Sequence, residues 1–123
     1  MAQAIAPRHI AASLTEHWSP RVVGEVDDNF VKVAKLLGQL GWHAHDNEDE
    51  LFLVLKGRLK IEMEAGPVEI GEGEFYVVPK GTRHNPVATE EVHVLLFERK
   101  TTLHTVNEVT EKTRSLADQL RPV

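Results

Sequence analysis

The rhythm of hydrophobic and polar positions changes twice along this chain. Ile10, Leu14 and Trp18 recur every fourth residue, one apolar stripe of a short helix. Ser19-Pro20 ends that rhythm, because a residue before proline disfavours the helical region. From Val22 to Phe97, glycines and prolines punctuate short runs rich in Val, Leu, Ile and Phe, the spacing of an all-β sandwich or barrel. The clearest strand is Arg58 to Glu64. There Leu59, Ile61 and Met63 alternate with charged residues, so one face is buried and the other wet. Lys56-Gly57 reads as a tight hairpin turn before it, and Gly66-Pro67 and Gly71-Glu72-Gly73 as the next turns. After Lys100 the chain is rich in Thr, Glu and Lys, with Leu116 and Leu120 suggesting a last helical stripe. The pattern therefore predicts a helical segment over 1–20, a β-barrel over 21–100 and a polar tail over 101–123.

A second reading concerns assembly. In the run Glu50 to Lys56, Phe52 and Val54 share a face with Glu50, yet Leu51, Leu53 and Leu55 on the opposite face are apolar too. Val92 to Phe97 is also apolar on both sides. Such strands need a second cover, which the N-terminal helix, another sheet or another subunit can supply. A homodimer is expected.

Composition narrows the class. A chain of 123 residues is one domain with room for one core. A net charge of −5 argues against a nucleic-acid partner, which normally meets a basic stripe. The absence of cysteine excludes disulfides, zinc–thiolate sites and thiol catalysis. No apolar run approaches the roughly 18 residues of a membrane span, and the first residues lack the charged-then-apolar order of a signal peptide. A cytoplasmic protein without membrane association is the expectation.

The candidate chemistry lies in His43-Ala44-His45, Glu50 and the distant His84. Three imidazoles and a carboxylate form a complete nitrogen/oxygen ligand set for one divalent ion: Fe, Mn, Co, Ni, Cu or Zn. On a strand, residues i and i+2 face the same way, so His43 and His45 can both point inward. Asp46 to Asp49 is a polar connection, after which Glu50 opens the next strand. Pro79-Lys80-Gly81 suits a tight turn delivering His84. Asp46, Glu48 and Asp49 read as a solvated turn, and His9, His17 and His104 as surface residues. Strand placement alone makes Phe52, Tyr76, His93 and Phe97 candidate pocket-lining residues.

These residues also carry a resemblance. HAHDNEDELFLVLKG resembles the first motif of the cupin superfamily, with His43, His45, Glu50 and Gly57 at its positions. GEFYVVPKGTRH resembles the second, with Gly73, Pro79, Gly81 and His84. Fifteen residues separate Gly57 from Gly73, a spacer typical of small single-barrel cupins. Two positions depart from the usual pattern: Leu37, beside Gly38, where the first motif often has glycine, and Ala88 where the second often closes on asparagine.

The resemblance implies a double-stranded β-helix, a jelly-roll-like barrel, with His43, His45, Glu50 and His84 as metal ligands. It also implies a small-molecule ligand such as a sugar, sugar phosphate or organic acid. Two function classes follow: a metal-dependent isomerase-like or dioxygenase-like enzyme, or a non-catalytic binding barrel that requires no metal. Because histidine binds metal only when neutral, a three-histidine site should lose affinity below roughly pH 6.5.

Overall fold

A computed structural model describes residues 2–103 and 114–123. In chain order the elements are α1 (Pro7–Ser13), β1 (Arg21–Val26), β2 (Asn29–Gln39), β3 (Glu50–Lys56), β4 (Leu59–Met63), β5 (Val68–Ile70), β6 (Phe75–Val78), β7 (His84–Arg99) and α2 (Leu116–Gln119). His104 lies outside the described residues.

The organising element is β7. Its second half pairs antiparallel with β2 on one side and β3 on the other, and its first half pairs with β4 and the end of β2. The long β2–β7 ribbon shifts register between Leu36 and Gly38, where Thr89, Glu90 and Glu91 of β7 are exposed. The seven strands form one continuous hydrogen-bonded sheet that folds into two half-sheets, β1-β2-β7-β3-β6 and β2-β7-β4-β5, with the halves of β7 in different ones. Their inner faces close a barrel around Ala34, Leu36, Phe52, Val54, Leu59, Ile61, Ile70, Val78, Val92, Val94 and Leu96. The alternation read in the sequence explains the fold: Leu59 and Ile61 are fully buried while Lys60 and Glu62 are not.

Gly57 is not a hairpin turn. β3 and β4 do not pair with each other; each pairs with a different half of β7. Gly57 is the corner between the two sheets, at φ +90°, with its Cα so close to β7 that a Cβ would lie 3.0 Å from the Glu91 carbonyl oxygen. Only glycine meets both demands without strain.

The N-terminal helix is shorter than its apolar stripe. Pro7 starts it at a position where the missing N–H costs nothing, but it ends at Ser13, and Leu14 is already extended. Trp18 sits beyond it in the left-handed region (φ 55°) and joins the inner barrel core rather than the cluster that Ile10 and Leu14 join. Ala11 and Leu14 pack on Val33 and Leu55, with Ile10, Leu53 and Leu95 around them. The helix therefore supplies part of the second cover that β3 requires. Leu51 and Phe97, further along the same outer face, stay partly open beside Val77 and Phe75, which are 38% and 63% exposed. The C-terminal α2 turns Gln119 into the barrel, while Leu116 and Leu120, read as an apolar stripe, are exposed.

Candidate metal centre

His43 and His45 do not lie on a strand. Gly38 and Gly41 take positive φ and end β2 before the motif, so residues 40–49 form an irregular connection, tied to β7 by the Leu40 N–H to the Pro86 carbonyl (3.3 Å) and by a bridge at His43–His84. That bridge has both backbone hydrogen bonds, 3.0 and 2.9 Å. The segment is fixed further by the Gly41 N–H donating to Asn85 Oδ1 (2.9 Å) and the Gly81 N–H donating to the His45 carbonyl (2.8 Å). Gly81 occupies the third position of a turn closed by Thr82 N–H to Pro79 O, at φ +78°, where a type II turn needs glycine. Backbone bonds thus hold the His43, His45 and His84 segments to one another, while Glu50 arrives as the first residue of β3.

The ligand atoms of His43, His45, Glu50 and His84 all lie within 4.8 Å of one another. Glu50 Oε1 stands 3.5 Å from His84 Nε2 and 3.7 Å from His45 Nε2. These are too long for hydrogen bonds. They match the roughly 3–4 Å between neighbouring donors that each lie about 2.0–2.2 Å from a shared ion. Both ring nitrogens of His45, Nε2 of His84 and Oε1 of Glu50 are buried without a hydrogen-bond partner. Buried polar atoms are seldom left so, and four converging residues, three of them with orphaned atoms, fit a bound cation. The tautomers agree. His43 Nδ1 meets the Gly41 carbonyl at 3.0 Å and His84 Nδ1 the Thr82 carbonyl at 2.9 Å. A carbonyl only accepts, so Nδ1 carries the proton and Nε2 offers its lone pair.

Electrostatics prepare the charge states. Burial, reinforced by His84, lowers the His43 pKa to about 4, so this imidazole is neutral at pH 7. Burial works against ionising Glu50, but His45, His84 and Glu98 outweigh it and hold the carboxyl well below its usual range. Glu98 stands directly opposite Glu50 in the β3–β7 register. Burial and then the Glu50 charge push Glu98 well up, because two buried neighbouring carboxyls do not both ionise. Behind Glu98 lies Lys32, its Nζ 2.6 Å from Glu98 Oε1 and 2.5 Å from Gln119 Oε1. A buried polar chain therefore runs from α2 through Lys32 and Glu98 to Glu50.

The cluster opens on a small cavity of about 30 Å³ bordered by His43 and Glu50. Phe52 lines it. Tyr76, paired with Phe52, borders a second cavity with Met63, Pro79, Gly81 and Thr82, His93 borders one beneath α1 beside Arg8 and Ala12, and Phe97 borders one on the outer face of β7. His9 and His17 are exposed, and His17 also bonds Glu91 at 2.8 Å. Asp49 and Glu48 serve the loop, accepting from Lys80 N–H and Thr101 Oγ1. Lys32, Asn85 and Glu98 were not singled out from sequence. The signal existed for two of them: Lys32 shares parity with Ala34 and Leu36, and Glu98 with Val94 and Leu96, so both charges fall on the core face.

Residues 30–109 match the cupin domain family. This chain is a cupin. It is 34% identical over 76 residues to the YdbB protein of Bacillus subtilis, covering 61% of this chain and 67% of that one. Among solved structures, a cupin-2 domain protein from Shewanella frigidimarina aligns with a TM-score of 0.75 at 36% identity, over 78% of this chain and 94% of its own. Protein NMB1881 from Neisseria meningitidis aligns at 0.72 and 28% identity, over 80% and 100%. The family region begins at residue 30, so α1, Trp18 and β1 of this cupin lie outside it.

Proposed function

We propose that this cupin works through one divalent metal ion held by His43, His45, Glu50 and His84, and that it binds or converts a small organic molecule there. The observation that carries this reading is the set of orphaned, buried atoms on His45, Glu50 and His84, aimed at one point. When bound, such an ion supplies Lewis-acid or oxygen-activating chemistry. The chain's own contributions are separate. His43 and His84 hold their tautomers through backbone carbonyls, Glu98 holds a proton beside Glu50, and the apolar cavity wall keeps water few. The test is the metal content of untagged protein prepared without chelator. About one Fe, Mn, Co, Ni, Cu or Zn per chain is expected, and it should be lost in both His45→Ala and His84→Ala. No metal in the native protein and none on reconstitution would leave the metal-free binding barrel as the reading.

The assembly reading is a homodimer through the outer face of β6, β3 and β7. Val77, Leu51 and Phe97 form an apolar row across the three strands in register. Asp49 and Arg99 border the same concavity. Opposite charges on one patch suit an isologous contact, in which each copy's Asp49 faces the other's Arg99.

A further inference from the structure

The cavity beside the ligand cluster is chemically one-sided. Its walls include Trp18, Pro20, Leu36, Leu40, Phe52 and Leu96. Apart from His43 and Glu50, the one polar group on a lining side chain is the Trp18 indole N–H, already donated to the Leu37 carbonyl at 2.7 Å. A hydroxyl placed here would leave water and find no partner, at a cost of about 1–3 kcal/mol each on the protein mutational scale. Sugars and sugar phosphates, which carry several, are poorly served by this wall. The volume, about 30 Å³, admits roughly two water-sized groups.

Resting on the metal-centre reading, we infer that this cupin's ligand is a short amphiphile. One oxygen-donor head, of carboxylate type, meets the metal at His43 and Glu50, and an apolar tail of two to three carbons fills the cavity. Of the ligand classes expected from sequence, only the organic acid survives, and only with an unhydroxylated tail. Trp18 sets the tail length. It is 5% exposed, and both its backbone N–H (to Lys35 O, 2.8 Å) and its indole N–H are tied to β2. Trp18 and Pro20, the part of this wall that precedes residue 30, lie before the stretch that matches the cupin domain family.

The test begins with Co(II) uptake by the full chain, which decides the metal reading by itself. The loaded protein is then titrated with acetate, propanoate, butanoate and hexanoate, and with erythronate, the trihydroxylated counterpart of butanoate. Cobalt absorption reports the head and tryptophan fluorescence the tail. Affinity should rise roughly fourfold per added methylene up to butanoate and then stop, with erythronate no tighter than acetate. In Trp18→Ala, or Trp18→Leu if the alanine variant fails to fold, the rise should continue to hexanoate. Flat affinity along the acid series, or erythronate binding more tightly than butanoate, overturns the inference. If no metal is taken up, the metal reading fails. The same series on metal-free protein, read by thermal shift, then decides the cavity inference alone: a shift growing with tail length sustains it, and an equal or absent shift overturns it.

Discussion

At the scale of residues, the centre couples chemistry to stability. His43 is buried with its pKa lowered from 6.5 to about 4. Between those values the unfolded chain binds a proton at this imidazole and the folded chain does not. Stability of the metal-free protein is therefore highest above pH 6.5 and falls as pH drops toward 4, by on the order of 3 kcal/mol from this group. Urea unfolding across that range should show the slope, and His43→Asn should flatten it. His43 itself stays neutral, and so open to metal, below pH 6.5. The Lys32–Glu98 pair makes a second prediction. Glu98→Leu leaves a buried ammonium with only the Gln119 carbonyl and should cost about 3–5 kcal/mol in unfolding experiments. Adding Lys32→Met should recover most of that loss. Glu98→Gln, which keeps a polar group opposite Glu50 and an acceptor for Lys32, should retain metal affinity where Glu98→Leu loses roughly 10–100-fold.

At the scale of elements, the corner at Gly57 and the loop carrying His43 and His45 separate local pattern from tertiary demand. Lys56-Gly57 has the local signature of a hairpin, yet the flanking strands join different sheets because β7 offers each its own half. Gly57→Ala meets both a positive φ and a 3.0 Å approach to the Glu91 oxygen. It should destabilise by about 1–3 kcal/mol on chemical denaturation, whereas Gly66→Ala, also at positive φ but with nothing near its Cβ, pays only the backbone part. The two histidines were read as i and i+2 of a strand. They converge instead because a bridge to His84 and hydrogen bonds to Asn85, Pro86, Gly81 and Lys80 hold an irregular segment. Motif spacing was legible in the sequence; the means of holding it was not, because those bonds come from residues about forty positions away.

At the scale of the molecule, the outer sheet face is half-covered. α1 shields Val33 and Leu55, and the row Leu51, Phe97 and Val77 continues past its end. Light scattering should give twice the chain mass at micromolar concentration. Val77→Lys, at a side chain already 38% exposed, should shift the protein to monomer while leaving unfolding of the barrel nearly unchanged. A single-chain mass for the unaltered protein would end the dimer reading.

By itself the sequence determined the all-β class, the buried faces of β3 and β4, the four candidate ligands and the turn that delivers His84. Each is written in local spacing: period-two alternation, glycine and proline placement, and the interval between donors. Tertiary structure alone decided that β7 is shared between two sheets, that Trp18 leaves its helix to wall the cavity, and that Lys32, Glu98 and Gln119 back Glu50. It also set Tyr76, His93 and Phe97 on three other cavities than the one Phe52 lines. These outcomes depend on which strands pair and in what register, and pairing is chosen by burial summed over the whole barrel rather than by any window of the chain.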